Sequence, residues 1–501
     1  MREKKGMLRI LLPAVLLAVS CGPAVTSVGP ASTPETEFID AEVSYIETLA
    51  PAAPAPAKKV PMPEIKADFD YAFPDVHEKT LKNGMKIYHV QHTRLPLVSI
   101  EAVFRAGSAQ DPADLPGLAV FTGEMLKGGT KTRSAREVAE AFESLGMTLG
   151  VWTDYDATIL QVTCLKEHLD AALELLADIL VNPTFPDDEI EILRARELGR
   201  LTLMKSDPDW LADRQIAAEI YGSHPYARYD ATEESIQKIA RKDVAAFHAR
   251  AFGGANGLLT IVGDIGFDEA KKTAAARFAK LPKGTALKMK KAAIPAVEKT
   301  RIVIVDRPGS VQTVFKIGAA SVKRKSADFV PLLVADYVLG GSPSSRLFMR
   351  VREKESNAYH VGSRLTESVD RGTWTVEGST NTASTAEALA SILEEIARIG
   401  AEPMSAEEND EAIAFLTGSF ALRIETTDQV AALVSDMAVF GLPGDTWDTY
   451  MDAVRKTGPE QARATAAPLL DPGKLVVVLV GDAAQLKPIL GAYGDISVVS
   501  P

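Results

Sequence analysis

The chain repeats itself, and that fact constrains its fold more than any other. "AVFRAGSAQ" at 102–110 returns as "TVFKIGAAS" at 313–321, with Gly107 answered by Gly318, an offset of 318 − 107 = 211. "LTIVGDIGFDEA" at 259–270 returns as "VVLVGDAAQLKP" at 477–488, with Asp264 answered by Asp482, an offset of 482 − 264 = 218. Solenoid repeats run roughly 20–50 residues, so a period this long marks a duplicated domain. A length of 501 residues also exceeds what one hydrophobic core usually serves. Lys, Gly and Pro cluster and periodicity lapses in "LPKGTALKMKKAAIPAVEKT" at 281–300. This predicts one domain over 71–282, a linker over 283–300 and a second domain over 301–501.

Within each half the hydrophobic period switches between two and 3.6. "LKNGMKIYHVQHT" reads as strands about an Asn-Gly turn, and "LPLVSIEAVFRAGSAQD" as another strand. "GLAVFTGEMLKGGT" and "SAREVAEAFESLG" read as helices, the second closed by Gly146. "TLGVWTDYDATILQVTCL" reads as a strand pair. Leu169, Leu173, Leu176 and Leu180 then mark one buried helix face. In the second half Ser384 and Glu387 have the spacing of a capping box, Leu389, Ile392, Leu393 and Ile396 make an apolar face, and Gly400 is expected to stop that helix. Paired strands with helices between them predict an α+β fold, each half holding a mostly antiparallel sheet packed with helices.

The first twenty residues carry Arg2, Lys4, Lys5 and Arg9 ahead of the short apolar run "ILLPAVLLAV", the pattern of a signal peptide rather than a membrane span. Ala18 and Ser20 before Cys21 resemble a bacterial lipobox, which implies lipidation of Cys21; ordinary cleavage after Ser20 also suits them. Gly22 then resembles the sorting signal of outer-membrane lipoproteins. Residues 21–70 are rich in Pro and Ala, with five prolines in "PAAPAPAKKVPMP", and read as a stiff tether. The expected place is the cell envelope, lipid-anchored, or secreted if no lipid is attached. Cys164, the only other cysteine, is left without a partner and reads as a core thiol. A net charge of −12 argues against a nucleic-acid partner.

Taken together, "LPLVSIEAVFRAGSAQDPADLPGLA", "EMLKGGTKTRSAREVAEAFESLG", "YGSHPYARYDATEESIQKI", "LLTIVGDI" and "GGSPSSRLFMRVREKESNAY" resemble, in order, the M16 peptidases, the insulinase/pitrilysin-like family that includes mitochondrial processing peptidase. The resemblance covers most of residues 76–490. It implies two homologous α+β domains forming half of a clam-shell chamber, which two chains complete in the bacterial short-chain branch. Active members carry H-x-x-E-H on the helix after "GLA". Histidines at i and i+4 share a helix face and bind one zinc ion, while the glutamate activates the bound water. Here the five residues are "VFTGE", with Val120 and Glu124 at the histidine positions and Gly123 at the general base. Glu197 is the acid nearest the expected downstream ligand, and its plainest reading is a solvated helix face. Of seven histidines, His89 and His92 have strand spacing that splits them between faces, His224 lies in a turn where it is expected to bond locally, and the others are scattered. "FGGANG" and "LGGSPSS" lack the lysine of a phosphate loop and read as turns.

The resemblance also matches Arg352 and Tyr359, in "VREKESNAY", to the pair that binds the substrate carbonyl in the second domain of active members. A guanidinium and a phenol are sensible donors to a developing oxyanion. The plain alternative is a surface Arg ending a helix and a core Tyr opening a strand. The expected function is therefore a subunit with no cofactor of its own. A second M16 chain would supply the zinc, and this one would add chamber, peptide-binding surface and Arg352/Tyr359. The alternative from another class is a non-enzymatic envelope lipoprotein used as a scaffold or assembly subunit.

Overall fold

A computed structural model describes residues 72–289, 292–491 and 493–501; the signal segment, Cys21 and the tether to residue 70 lie outside them. The first half opens with strands β1 (His77–Thr80), β2 (Lys86–Gln91) and β3 (Leu97–Phe104). Helices α1 (Leu118–Met125) and α2 (Ala135–Glu143) lead to β4 (Gly150–Thr153) and β5 (Thr158–Leu165). Then come α3 (Leu169–Val181), α4 (Asp187–Met204), α5 (Pro208–Tyr221), α6 (Glu233–Lys238) and α7 (Arg241–Ala251). Strand β6 (Gly257–Gly263) and helix α8 (Phe267–Arg277) close the half.

The second half follows the same plan. It begins with β7 (Arg301–Asp306), β8 (Gln312–Ala320) and α9 (Phe329–Leu339), with a π-helical segment over Phe348–Lys354. Strands β9 (His360–Leu365) and β10 (Thr373–Asn381) come next. Helices α10 (Thr385–Ala401), α11 (Ala406–Leu422), α12 (Thr427–Phe440), α13 (Thr446–Lys456) and α14 (Pro459–Ala466) lead to β11 (Val476–Gly481), α15 (Ala483–Leu490) and β12 (Asp495–Val499). Among the described residues no helix is long and apolar enough to cross a membrane.

Each half holds one six-stranded sheet. The orders are β1-β2-β6-β3-β5-β4 and β12-β7-β11-β8-β10-β9, mostly antiparallel in both. The ladders fix the equivalence of the halves. Ala102 faces Leu259 while Ile317 faces Val477, and 477 − 259 = 218 is the offset of the aspartate pair. The matching offset on β3 and β8 is therefore 317 − 102 = 215, not the 211 that the echoed letters suggest. Strand β2 agrees, because Lys86 pairs with Leu258 and Arg301 with Val476, giving 301 − 86 = 215.

The halves interlock by exchanging helices. Helix α5 of the first half packs on β8 and β11 of the second sheet, and α12 of the second half packs on β3 and β6 of the first. Strand alternation makes this possible. Val476, Val478 and Val480 point into the core that holds α5, while Val477 and Leu479 point into the other core. On β6, Leu258 and Val262 join the core around α12, and Leu259 and Ile261 stay with their own half. Each such buried aliphatic side chain contributes about 2 kcal/mol. Hydroxyl pairs cross the seam: Ser99 Oγ to Thr427 Oγ1 at 2.8 Å and Thr260 Oγ1 to Ser435 Oγ at 2.9 Å.

Two local expectations change. Ser384 makes no side-chain cap, because it sits in a 3-10 turn whose first N–H groups are served by Asn381, accepting from Ala383 N at 3.1 Å. Gly400 does not end α10 but lies in its last turn, where an added Cβ would stand 3.1 Å from Ala467 Cα. Helix α2 starts with a capping box from Ser134 and Glu137, and Gly146 follows that helix with φ +68°. Cys164 is buried in β5 as a free thiol, pushed up to about 11 by burial.

Candidate functional site

The helix that would carry a metal motif is built from an unusual start. Asp111, buried in the preceding loop, accepts from Gly117 N and Ala119 N at 2.8 Å each and so caps α1 from outside the helix. Burial pushes its carboxyl up to about 7, against the pull of those two bonds. Gly117 has φ +90°, and a Cβ there would lie 2.5 Å from Ala231 Cβ, so only glycine fits. Further along α1, Gly123 faces β4 and β5. A Cβ on it would meet Thr153 Oγ1 at 3.1 Å and Thr158 Cγ2 at 3.2 Å.

Val120 and Glu124 face a cleft of about 600 Å³ whose other wall carries Arg196, Glu197, Arg200 and Asp230. Glu124 accepts from Arg196 Nη2 at 2.8 Å and pairs with Lys127 Nζ at 2.9 Å. Arg196 Nε stands 3.6 Å from Glu197 Oε1, so one guanidinium bridges the two carboxylates that a cation would otherwise separate. Glu197 also accepts from Arg200 Nε at 2.8 Å, and Arg200 grips both oxygens of Asp230 at 2.8 and 2.7 Å. Trp210 Nε1 donates to Asp230 Oδ2 at 3.1 Å. Three cations and three anions close a lattice of charge-assisted bonds.

A zinc ion does not fit this lattice. Val120 and Gly123 bring no donor atom, and the carboxylates of Glu124 and Glu197 are committed to guanidinium groups. Among the described residues no three of His, Cys, Asp and Glu gather into a metal-holding group. Glu197 departs from the solvated-face reading: it is 9% exposed and lines the cleft. The sign was present in α4, whose buried residues are Ile190, Leu193, Glu197 and Leu201. A glutamate in the apolar stripe of a helix requires a partner. Arg196, Arg200 and Asp230 are the partners that the sequence reading did not pick out.

His224 makes the local bond expected of it, with Nδ1 accepting from Tyr226 N at 3.2 Å, and its Nε2 faces Asp370 of the second half at 3.5 Å. Burial lowers its pKa. His89 is buried on β2 with Nε2 2.9 Å from Ile265 O.

Arg352 and Tyr359 do not line the cleft at α1. Arg352 lies in the π-helical segment, exposed, its guanidinium 4.6 Å above the Phe348 ring. Tyr359 immediately precedes β9 and is held by its backbone, which donates to Ser379 O at 2.8 Å. Its side chain is 58% exposed, so it is not the core tyrosine of the plainer reading.

Two family models match, "Insulinase (Peptidase family M16)" over residues 88–229 and "Peptidase M16 inactive domain" over residues 238–416. The chain belongs to the M16 peptidase family. Among the M16 relatives, the "Non-peptidase homolog YmxG" of Helicobacter pylori is 27% identical over 386 residues, 76% of this chain and 88% of the relative. The "Uncharacterized zinc protease YmxG" of Bacillus subtilis is 25% identical over 351 residues, 70% of this chain and 84% of the relative. A crystal structure described as a peptidase M16 inactive domain from Pseudomonas fluorescens superposes with a TM-score of 0.77 at 28% identity, covering 82% of this chain and 98% of that one. The two α+β halves of this M16 chain thus have the family's architecture, with a charge lattice at the motif position.

Proposed function

We propose that this M16 chain is the zinc-less subunit of a heteromeric peptidase, paired with a second M16 chain that carries H-x-x-E-H. The observation that carries the reading is the contrast between two places in the chain. At the motif cleft Glu124, Arg196, Glu197, Arg200 and Asp230 are bound to one another, whereas Arg352 and Tyr359 are presented to solvent. The fold binds neither side chain by a hydrogen bond: among the described residues the Tyr359 hydroxyl has no hydrogen-bond partner, and the Arg352 guanidinium has its contact with the Phe348 ring and a 3.8 Å approach to its neighbour Glu353. Exposed donors without hydrogen-bond partners are what a shared site would need from this side. In that role the two would donate to the carbonyl oxygen of a peptide held against the partner's metal, and strengthen those bonds as charge develops on it.

The test is steady-state kinetics of the reconstituted two-chain enzyme with Arg352→Ala and Tyr359→Phe, after each variant has been shown to associate. Loss of one oxyanion donor typically costs roughly 3 kcal/mol, about a hundredfold in kcat, with little change in KM. Unchanged turnover in both variants would overturn the catalytic role.

The second reading is a non-enzymatic envelope lipoprotein that uses the M16 fold as a scaffold. It is favoured by the name of the Helicobacter pylori relative as a non-peptidase homolog. A lipid on Cys21 and an envelope location belong to both readings. Cys21→Ser should move the protein to a soluble fraction or leave it unprocessed; fractionation and migration like the wild type would exclude the anchor.

A further inference from the structure

A second cleft is far in sequence from the motif. It has a volume of about 660 Å³ and lies between the end of β1 and the C-terminal turns of α8. Lys79, Lys82, Lys271 and Lys272 ring it, and Ala275, Ala276, Ala279 and Phe278 make much of its floor. Asn83 staples the two walls, its Nδ2 donating to Phe278 O at 3.0 Å and Leu281 O at 3.3 Å. The three alanines are exposed, so this end of α8 shows solvent a flat apolar strip.

The charge around that strip is one-sided. No acidic residue lines the cleft, although acids outnumber bases 67 to 55 in the chain. Lys271 is held by Asp268 at 2.6 Å. Among the described residues Lys79, Lys82 and Lys272 have no ion-pair partner, and all three are exposed. The nearby Glu78 is taken by Lys86 at 2.6 Å. Such a cleft offers apolar contact below and ammonium groups above, the arrangement that suits an anionic headgroup with the start of its hydrocarbon chain. Strand β1 ends on the cleft's rim.

We propose that this lysine-ringed cleft docks the body onto anionic phospholipid at a membrane surface. The proposal rests on the membrane-tethered part of the reading above, because a tether from Cys21 would keep the body within reach of such a surface. Electrostatic attraction draws the lysines to the headgroups, and the alanine strip lets the interface close without desolvating an opposing charge.

The test uses the chain from residue 21 onward with Cys21→Ser, so that no lipid is attached and failure of the anchor is scored separately. Flotation with phosphatidylcholine vesicles, with and without phosphatidylglycerol, is the readout. Binding is expected only to the vesicles with phosphatidylglycerol, and should weaken as salt is raised. Lys79→Gln, Lys82→Gln and Lys272→Gln together should lower partitioning on the order of a hundredfold. Ala276→Glu, at an exposed position, should weaken it as well. The same change of charge at the exposed Lys325, Lys456 and Lys487 should leave binding in place. Equal binding to both vesicle types, equal loss in the two triple variants, or full binding by the cleft variant would each overturn the proposal.

Discussion

Five strands of each sheet follow the same order, but the two sheets treat the same central position in opposite ways. On β3, Glu101 faces α12 of the other half. At the matching place on β8, 316 − 101 = 215, Lys316 faces α5. Lys316 is buried between two carboxylates, paired with Asp213 of α5 and with Glu377 of β10 at 3.2 Å. Glu101 has no cation, only Gln161 Nε2 at 3.2 Å and the Ser435 hydroxyl, and burial pushes it up to about 7. A buried position in this seam therefore holds a charge only where both neighbours supply the opposite one; otherwise the group resists ionising.

The largest effect expected from this contrast is at Lys316. Lys316→Met would leave two acids facing an apolar side chain. Removing one partner of a buried pair costs about 3–5 kcal/mol. Asp213 and Glu377 are both partly exposed, so about 3 kcal/mol is expected after screening, read as a shift in the urea midpoint at pH 7. If Lys316→Met and Glu101→Gln shift the midpoint alike at that pH, the contrast between the slots is wrong.

Glu101→Gln should show its effect as a pH dependence. The folded-state pKa lies above the unfolded value, so the native state binds the extra proton between the two. The wild type then loses stability as pH rises from about 4.5 to about 7, and the loss stays constant above that. Glu101→Gln removes this term. The variant should match the wild type near pH 4.5 and exceed it by about 3 kcal/mol at pH 8. Parallel stability curves for the two proteins would refute the assignment.

A smaller difference separates the helices that follow β3 and β8. Helix α1 takes its cap from the remote Asp111, whereas Asp328 at the start of α9 makes no side-chain cap bond. Asp111→Ala should cost about 1–2 kcal/mol by thermal unfolding, and Asp328→Ala close to nothing. Equal shifts would mean that Asp111 does no more for α1 than its counterpart does for α9.

The duplication, the strand pairs and the leucine face of α3 were legible because each is a periodic pattern. Register was not. "AVF" and "TVF" align as letters, but Phe104 ends β3 while Phe315 lies inside β8, and only hydrogen bonds count the pairs. The loss of donors at Val120 and Gly123 could be read directly. What replaced them could not, because Arg196 and Asp230 reach the cleft from segments whose meeting depends on tertiary packing. The exchange of α5 and α12 was equally hidden. Their apolar stripes show that each is buried, but not against which sheet.

That exchange makes the segment at 283–300, read from the sequence as a linker, a thermodynamic component. A single half would leave one face of its sheet bare: Tyr88, Val90, Val103, Leu258 and Val262 in the first, with Val476, Val478 and Val480 among those of the second. Only another copy could cover it, and at nanomolar protein such a meeting would be bimolecular and dilute. An eighteen-residue connection (300 − 283 + 1) holds the covering helix at an effective concentration on the order of millimolar instead. Cutting the chain there would turn a folding equilibrium into an association that depends on how much protein is present.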